Sequence, residues 1–364
     1  MLESAAAAAP LLPAPASAPT ISVLLPFWNA EAHLAECLAS LRAQTCADFE
    51  IVAVDDGSTD GSAAIAAARA VEEPRLRIVT RPHRGLVAAL NAGLTECRGT
   101  WVARMDADDV ALPTRLERQL AWARAHPEQG LLGCLAEPFA SGGRLSAGGA
   151  RYHAWMNALR DDAAMKASLL VESPIPHPAF FARRALFQRL WGYRERPWPE
   201  DYDLLLRAAA AGVVFGKVPE VLVRRRDHPG RLTRSDVRYR RDAMFRAKVH
   251  HFVRGPWLQG AEGGPRREVV LGGSGNSARK VAALLRAEGV TVRCLLDNKG
   301  GPPGRRVHGI PATGYPDAIP PAFFAEHRDA FFVSCIGQEE GRARLVRHLE
   351  ANRLRQGRDW LLFL

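Results

Sequence analysis

The chain has 364 residues, 47% hydrophobic and 24% charged, with a formal net charge of +10 carried far more by arginine than by lysine. That length accommodates two domains of ordinary size, and no apolar run approaches the roughly 18 residues a membrane span requires. The basic excess suits nucleic acid, an anionic membrane surface or phosphorylated substrates, but no helix-turn-helix, zinc-finger or aromatic-rich sheet signature accompanies it, so nucleic acid is not an expected partner.

Residues 1–20 are Ala/Pro-rich, contain the acidic Glu3 and lack a basic leader, and read as a disordered lead-in, not a signal peptide. Strand and helix then alternate. Ile21–Leu25 is a strand closed by Pro26, and a helix fits 30–44 with Asn29 as its cap. Strands at 51–54, 76–79 and 101–105 alternate with helices from Asp60, from Gly85 and from Pro113. This pattern predicts an α/β fold with a mostly parallel sheet. Ser141–Gly149 reads as a loop, 151–223 as a second element-rich stretch, and Arg224–Arg254 as a basic segment, helical from Asp236. That segment admits three uses: diphosphate contacts, docking to an anionic membrane surface or lipid-linked acceptor, or a solvated face. The Gly-rich 255–265 reads as a linker between a domain at 21–254 and a second at 266–364. The six cysteines include no Cys-x-x-Cys pair and read as reduced, mostly buried thiols of a cytosolic protein.

Two acidic clusters stand out. Asp55-Asp56-Gly57-Ser58-Thr59-Asp60 ends one apolar run, and Asp106-Ala107-Asp108-Asp109 ends another. Carboxylates at the ends of strands in such a pattern converge on the sheet edge where open α/β folds bind ligands. Uncompensated charge there is expensive, and a divalent metal with a nucleotide would compensate it.

Six segments, in order, carry a resemblance: Ser22–Asn29, Val54–Asp60, Asn91-Ala92-Gly93, Met105–Asp109, His177-Pro178 and Glu200–Leu204. Together they resemble a family 2 glycosyltransferase with the GT-A fold over residues 21 to about 230. The resemblance implies an inverting, metal-dependent transfer of a sugar from a nucleoside-diphosphate sugar, UDP favoured, to a hydroxyl of a glycan or lipid-linked acceptor in bacterial surface polysaccharide synthesis. A cytoplasmic enzyme is expected, which docking of the basic segment would make peripheral at the inner face of the membrane. Asp106 and Asp108 match its Asp-x-Asp, with Asp108 on Mn²⁺ or Mg²⁺ and Asp106 on ribose or the metal shell. Asp109 also suits a turn or helix entry. Asp56 and Asp55 would accept from the nucleobase, beside a wall formed by Pro26 and Asn29. Asp201 matches the general base, Glu200 and His177 the acceptor side, and His228 a late metal or diphosphate contact. Plain packing or surface roles remain alternatives for both histidines.

Gly273-Ser274-Gly275-Asn276-Ser277-Ala278 fits a Gly-x-Gly-x-x-Ala loop between strand and helix, and Asp297 ends the next strand. This stretch resembles the small Rossmann-like lobe that precedes the hexapeptide repeats of bacterial sugar acetyltransferases. No such repeat follows here, so the lobe is either a nucleotide or sugar-nucleotide module or one that kept only the fold. Among alternatives, sugar-nucleotide synthesis lacks its Gly-rich basic loop after the first strand. An NAD-dependent oxidoreductase on 266–364 lacks a substrate domain. A non-catalytic sugar-nucleotide-binding regulator is opposed by intact Asp106, Asp108 and Asp201.

Overall fold

The computed structural model describes residues 18–141, 145, 147–259, 265–297, 304–315 and 318–364. The expected lead-in up to residue 17 and positions 260–264 of the expected linker lie outside them. The chain divides into two units. The first comprises residues up to Asp162, Pro174–Arg196 and Glu200–Ser235; the second comprises Ala163–Ser173, Pro197–Pro199 and Asp236–Leu364.

The first unit is built on eight strands: β1 (Ile21–Phe27), β2 (Phe49–Asp55), β3 (Leu76–Thr80), β4 (Trp101–Arg104), β5 (Val110–Ala111), β6 (Gln129–Ala140), β7 (Phe181–Arg183) and β8 (Val214–Asp227). They form one sheet in the order β3-β2-β1-β4-β7-β6-β8-β5. β1 to β4 pair in parallel, as the alternation predicts, whereas β7 runs antiparallel to β4 and β6, and β5 antiparallel to β8. β1 and β2 are buried along their whole length, the continuous apolar pattern of strands covered on both faces. Pro26 falls in β1 beyond its last partner on β4, Leu24↔Arg104, so its missing N–H costs no bond on that side. The helix Leu86–Glu96 packs so closely on this sheet that a Cβ on Gly93 would lie 2.2 Å from Leu24 Cδ1.

Three local expectations change. The first helix starts at Leu34, and Asn29 does not cap it. The region expected as a loop at Ser141–Gly149 already begins a helix, Ala147–Ala158, on described residues. Arg224, Arg225 and Arg226 lie on β8, which runs parallel to the long β6 up to Ala140↔Asp227, and of the three only Arg226 is buried.

The second unit holds β9 (Val269–Gly272), β10 (Val292–Asp297), β11 (Arg306–Val307), β12 (Ile310–Gly314), β13 (Phe331–Ser334) and β14 (Trp360–Leu362). Their order is β11-β12-β10-β9-β13-β14, parallel except for the β11–β12 hairpin. The helix Arg241–Arg254, expected in the first domain, groups here. Its Phe252 is buried edge-on against Phe331 and Phe363, with centroids at 5.2 and 5.4 Å. Its buried Lys248 donates to the carbonyls of Val171 (2.7 Å) and Phe363 (3.1 Å). The division between units therefore precedes the 255–265 segment.

One buried acid fastens the parallel half of the first sheet. Glu50 on β2 accepts from Ser22 Oγ (2.7 Å), the Arg98 N–H (2.8 Å) and Arg98 Nε (2.9 Å), and pairs with Arg77 Nε (3.1 Å). Burial alone would raise its carboxyl, but the Ser22 and Arg98 hydrogen bonds outweigh that and hold it below the usual range. Its stabilising contribution is therefore present above the ordinary glutamate pKa and is lost as pH falls through the lowered value. Glu50→Ala strands the Arg98 and Ser22 donors and should cost about 3 kcal/mol in urea denaturation at neutral pH. The difference from wild type should shrink as the pH is taken below about 4.

Candidate active site

β1 and β2 run in register to Phe27↔Asp55, which puts the 26–29 loop and the Asp55-Asp56 pair on one sheet edge. Asn29 adopts φ +48°, a region asparagine tolerates. Its Oδ1 accepts the Thr59 N–H (2.8 Å), and its own N–H donates to Ser58 Oγ (3.1 Å), so the two loops are zipped together. Asp55 Oδ1 accepts the Ser58 N–H (2.9 Å). Asp56 is buried and accepts the N–H groups of Gly85 (2.7 Å) and Arg84 (3.2 Å), just before the helix Leu86–Glu96. It also faces Arg81 Nε at 3.2 Å and His83 Nδ1 at 2.9 Å. Gly57, at φ +73°, lets the His83 backbone approach: a Cβ there would lie 2.7 Å from His83 N. Trp28 is half exposed and stacks on the His83 ring at 4.4 Å, leaving an aromatic surface beside this edge.

The second acidic cluster lies just past β4 on the same edge, where the Met105 N–H meets the Leu24 carbonyl (3.0 Å). Asp106, Asp108 and Asp109 each offer a carboxylate oxygen, and these atoms lie within 4.8 Å of one another. Asp106 pairs with the buried Arg104. Asp108 Oδ2 meets His228 Nε2 at 2.9 Å, joining β8's end to the cluster. Burial opposes the charge on Asp108, but the His228 hydrogen bond and then the Arg231 charge prevail, so its carboxyl lies below the usual range. Asp109, given a turn or helix-entry alternative on sequence grounds, is fully buried. One oxygen accepts the Arg226 N–H (2.8 Å), while Oδ2 has no hydrogen-bond partner. Burial, then Asp108 and Asp106, push it up to about 8. Three carboxylates, with an orphaned buried oxygen on Asp109, fit a hard divalent cation.

The acceptor-side residues gather around Tyr193. His177 is buried, and its Nε2 meets Tyr193 Oη at 2.8 Å. Burial, with Arg104 and Arg225 nearby, holds His177 well below its ordinary value, so the imidazole is neutral. Its Nδ1 lies 3.9 Å from Glu200 Oε1, a contact without ion-pair character once the ring is neutral. Glu200 is completely buried, whereas Asp201, next on the helix Glu200–Ala210, is only partly so and accepts its neighbour's N–H from Tyr202 (2.7 Å). Asn91 exchanges two hydrogen bonds with the Tyr193 backbone (2.8 and 2.9 Å), which accounts physically for the Asn91-Ala92-Gly93 motif.

Four arginines complete the site. Arg104 sits electrostatically among Asp106, Tyr193 and Glu200. Arg115 donates to the Arg104 carbonyl (2.6 Å) and to Gln119, which donates in turn to the Ala179 carbonyl (2.9 Å). Arg226 spreads its guanidinium over the Asp108 carbonyl (2.8 Å), Ser141 Oγ (2.7 Å) and Glu36. Arg231 holds the Arg226 carbonyl (2.6 Å). Arg226 and Arg231 fall in the basic segment for which diphosphate contacts were one expected use, whereas Arg104 and Arg115 were missed and are marked in the sequence only by lying near the second acidic cluster. In the second unit Gly273 and Gly275 form the expected loop, but Asp297 is buried and paired with Arg305 (2.9 Å).

Residues 22–191 match the Glycosyl transferase family 2 model. Over 208 residues the chain is 35% identical to the amylovoran biosynthesis glycosyltransferase AmsE of Erwinia amylovora, covering 56% of this chain and 74% of AmsE. The chain belongs to glycosyl transferase family 2. This glycosyltransferase is also 29% identical over 228 residues to EpsE of Bacillus subtilis (strain 168), covering 61% of this chain and 78% of EpsE. The crystal structure of S. aureus TarS 1–349 in complex with UDP-GlcNAc superposes with a TM-score of 0.52 at 19% identity, over 65% of this chain and 67% of that one. The fold of the catalytic unit is therefore GT-A.

Arg226→Lys keeps the charge but removes the fork that holds the Asp108 carbonyl, Ser141 and Glu36. It should lower the urea-unfolding free energy by about 1–3 kcal/mol and reduce glycosyl transfer, because the loop bearing Asp108 and Asp109 loses its brace. Unchanged stability and turnover would remove Arg226 from the site.

Proposed function

We propose that this glycosyltransferase moves a sugar from a UDP-sugar to a hydroxyl of a glycan or lipid-linked acceptor, with inversion and with a divalent cation, in polysaccharide biosynthesis. The observation that carries the reading is the cluster of Asp106, Asp108 and Asp109 with His228 on Asp108, at the sheet edge that also bears Asp55 and Asp56. Mn²⁺ or Mg²⁺, held by Asp108, Asp106 and His228, would neutralise the charge developing on the departing diphosphate.

The protein's own groups do the rest. Asp56, fixed by the Arg84 and Gly85 N–H groups, presents an acceptor to the uracil imide, and Asp55 shapes the turn beneath it. The Trp28–His83 stack offers a face for the base. Pro26 and Asn29 form the adjoining wall. Asp201, the more accessible acid of its pair, takes the proton of the acceptor hydroxyl as that oxygen forms its bond to the anomeric carbon and the bond to the diphosphate breaks. One in-line displacement inverts the configuration. Neutral His177 holds Tyr193, with Glu200 beside it on the acceptor wall. The complex of TarS with UDP-GlcNAc supports the donor class, and the name of AmsE supports the polysaccharide setting.

Titration of the purified protein with UDP, with and without Mn²⁺, tests the donor site. A metal-dependent component of binding should appear in the wild type and be lost in Asp108→Ala; absence of any metal-dependent component in the wild type would overturn the assignment. Asp201→Asn should retain UDP affinity while kcat falls by about 10²–10⁴. Retained kcat would move the base elsewhere, and retention of anomeric configuration in the product, read by NMR, would exclude single displacement.

A further inference from the structure

We infer that the second unit carries its own binding site for a diphosphate-bearing ligand, in the crevice where its strand order reverses. β10 and β13 flank β9 on opposite sides, so the loops after β9 and β13 part from each other at the carboxyl edge of the sheet. Open parallel sheets bind ligands at such a point. Here the loops border an open cleft of about 590 Å³, a size suited to a nucleotide or comparable small molecule.

The lining specifies charge. Three arginines, Arg241, Arg305 and Arg344, line the cavity, and among the described residues no carboxylate does. Arg241 is tied to the first turn of the helix Asn276–Ala287 by its bond to Ser277 Oγ (2.8 Å), and Arg305 is steadied by Asp297 (2.9 Å). Guanidinium forks match the paired oxygens of phosphates.

Two glycines add an independent sign. Gly275 precedes the helix with φ −78° and ψ −173°, a conformation open to any residue, and a Cβ there would meet nothing within 4 Å. Neither backbone nor packing requires glycine at 275. A Cβ on Gly337, in the loop after β13, would also meet nothing within 4 Å. The position favours Ser, Asp or Asn as a helix cap, yet the helix has no side-chain cap. Its first N–H groups are thus left for another acceptor. An anion in the cavity would supply it.

The site stands apart from the catalytic reading, so the test uses the full chain carrying Asp108→Ala, without metal. Calorimetric titration with inorganic pyrophosphate should show saturable binding, weakened at least about tenfold by Arg344→Gln, which removes a charged donor. Gly275→Asp should abolish binding while leaving the thermal midpoint equal or higher, because aspartate caps the helix and repels the ligand. UDP binding tighter than pyrophosphate would identify a nucleotide as the occupant; equal binding would confine recognition to the diphosphate. Absence of pyrophosphate binding, or binding indifferent to both substitutions, would overturn the proposal, whatever the outcome at the catalytic site.

Discussion

Three carboxylates cannot crowd within 4.8 Å of one another at a partly dry sheet edge unless cations surround them, and this constraint organises the catalytic unit. Arg104 answers Asp106, His228 and Arg231 answer Asp108, and Arg226 fixes the loop through its backbone and its guanidinium. Even so one oxygen of Asp109 stays without a partner, and its carboxyl is pushed toward the neutral form.

The same arginines couple the donor edge to the acceptor side. Arg104 ends β4, and its N–H bonds the Phe180 carbonyl (2.9 Å) because β7 lies antiparallel beside β4. That pairing brings the His177–Ala179 turn next to the acids, and the Arg115–Gln119 brace fastens it there. One buried charge thereby acts on Asp106, Tyr193, Glu200 and His177 together. Departure of the sheet from purely parallel pairing is thus what brings His177, Tyr193 and Glu200 beside the acidic edge.

The second unit gathers the opposite charge at its sheet edge. The catalytic edge gathers acids, whereas the β9–β13 crevice gathers arginines and open glycine positions. The buried Lys248, which ties the Arg241–Arg254 helix to two carbonyls, shows why this helix belongs with the unit whose cavity Arg241 lines.

The sequence by itself determined the alternation of β1 to β4 with their helices, and the placement of Asp55, Asp56, Asp106 and Asp108 at strand ends, because both follow from local apolar period and from acids that terminate it. It also marked the glycine loop at 273–275, since strand, loop and helix are contiguous there. Only the tertiary structure decided the burial of Asp109, the joining of His228 to Asp108 across 120 positions, and the conversion of Arg224–Arg226 from an apparently solvated run into a strand. Those outcomes depend on β8 pairing with β6 and on which side chains then face the acids. Such long-range pairings leave no periodic trace in the residues that make them.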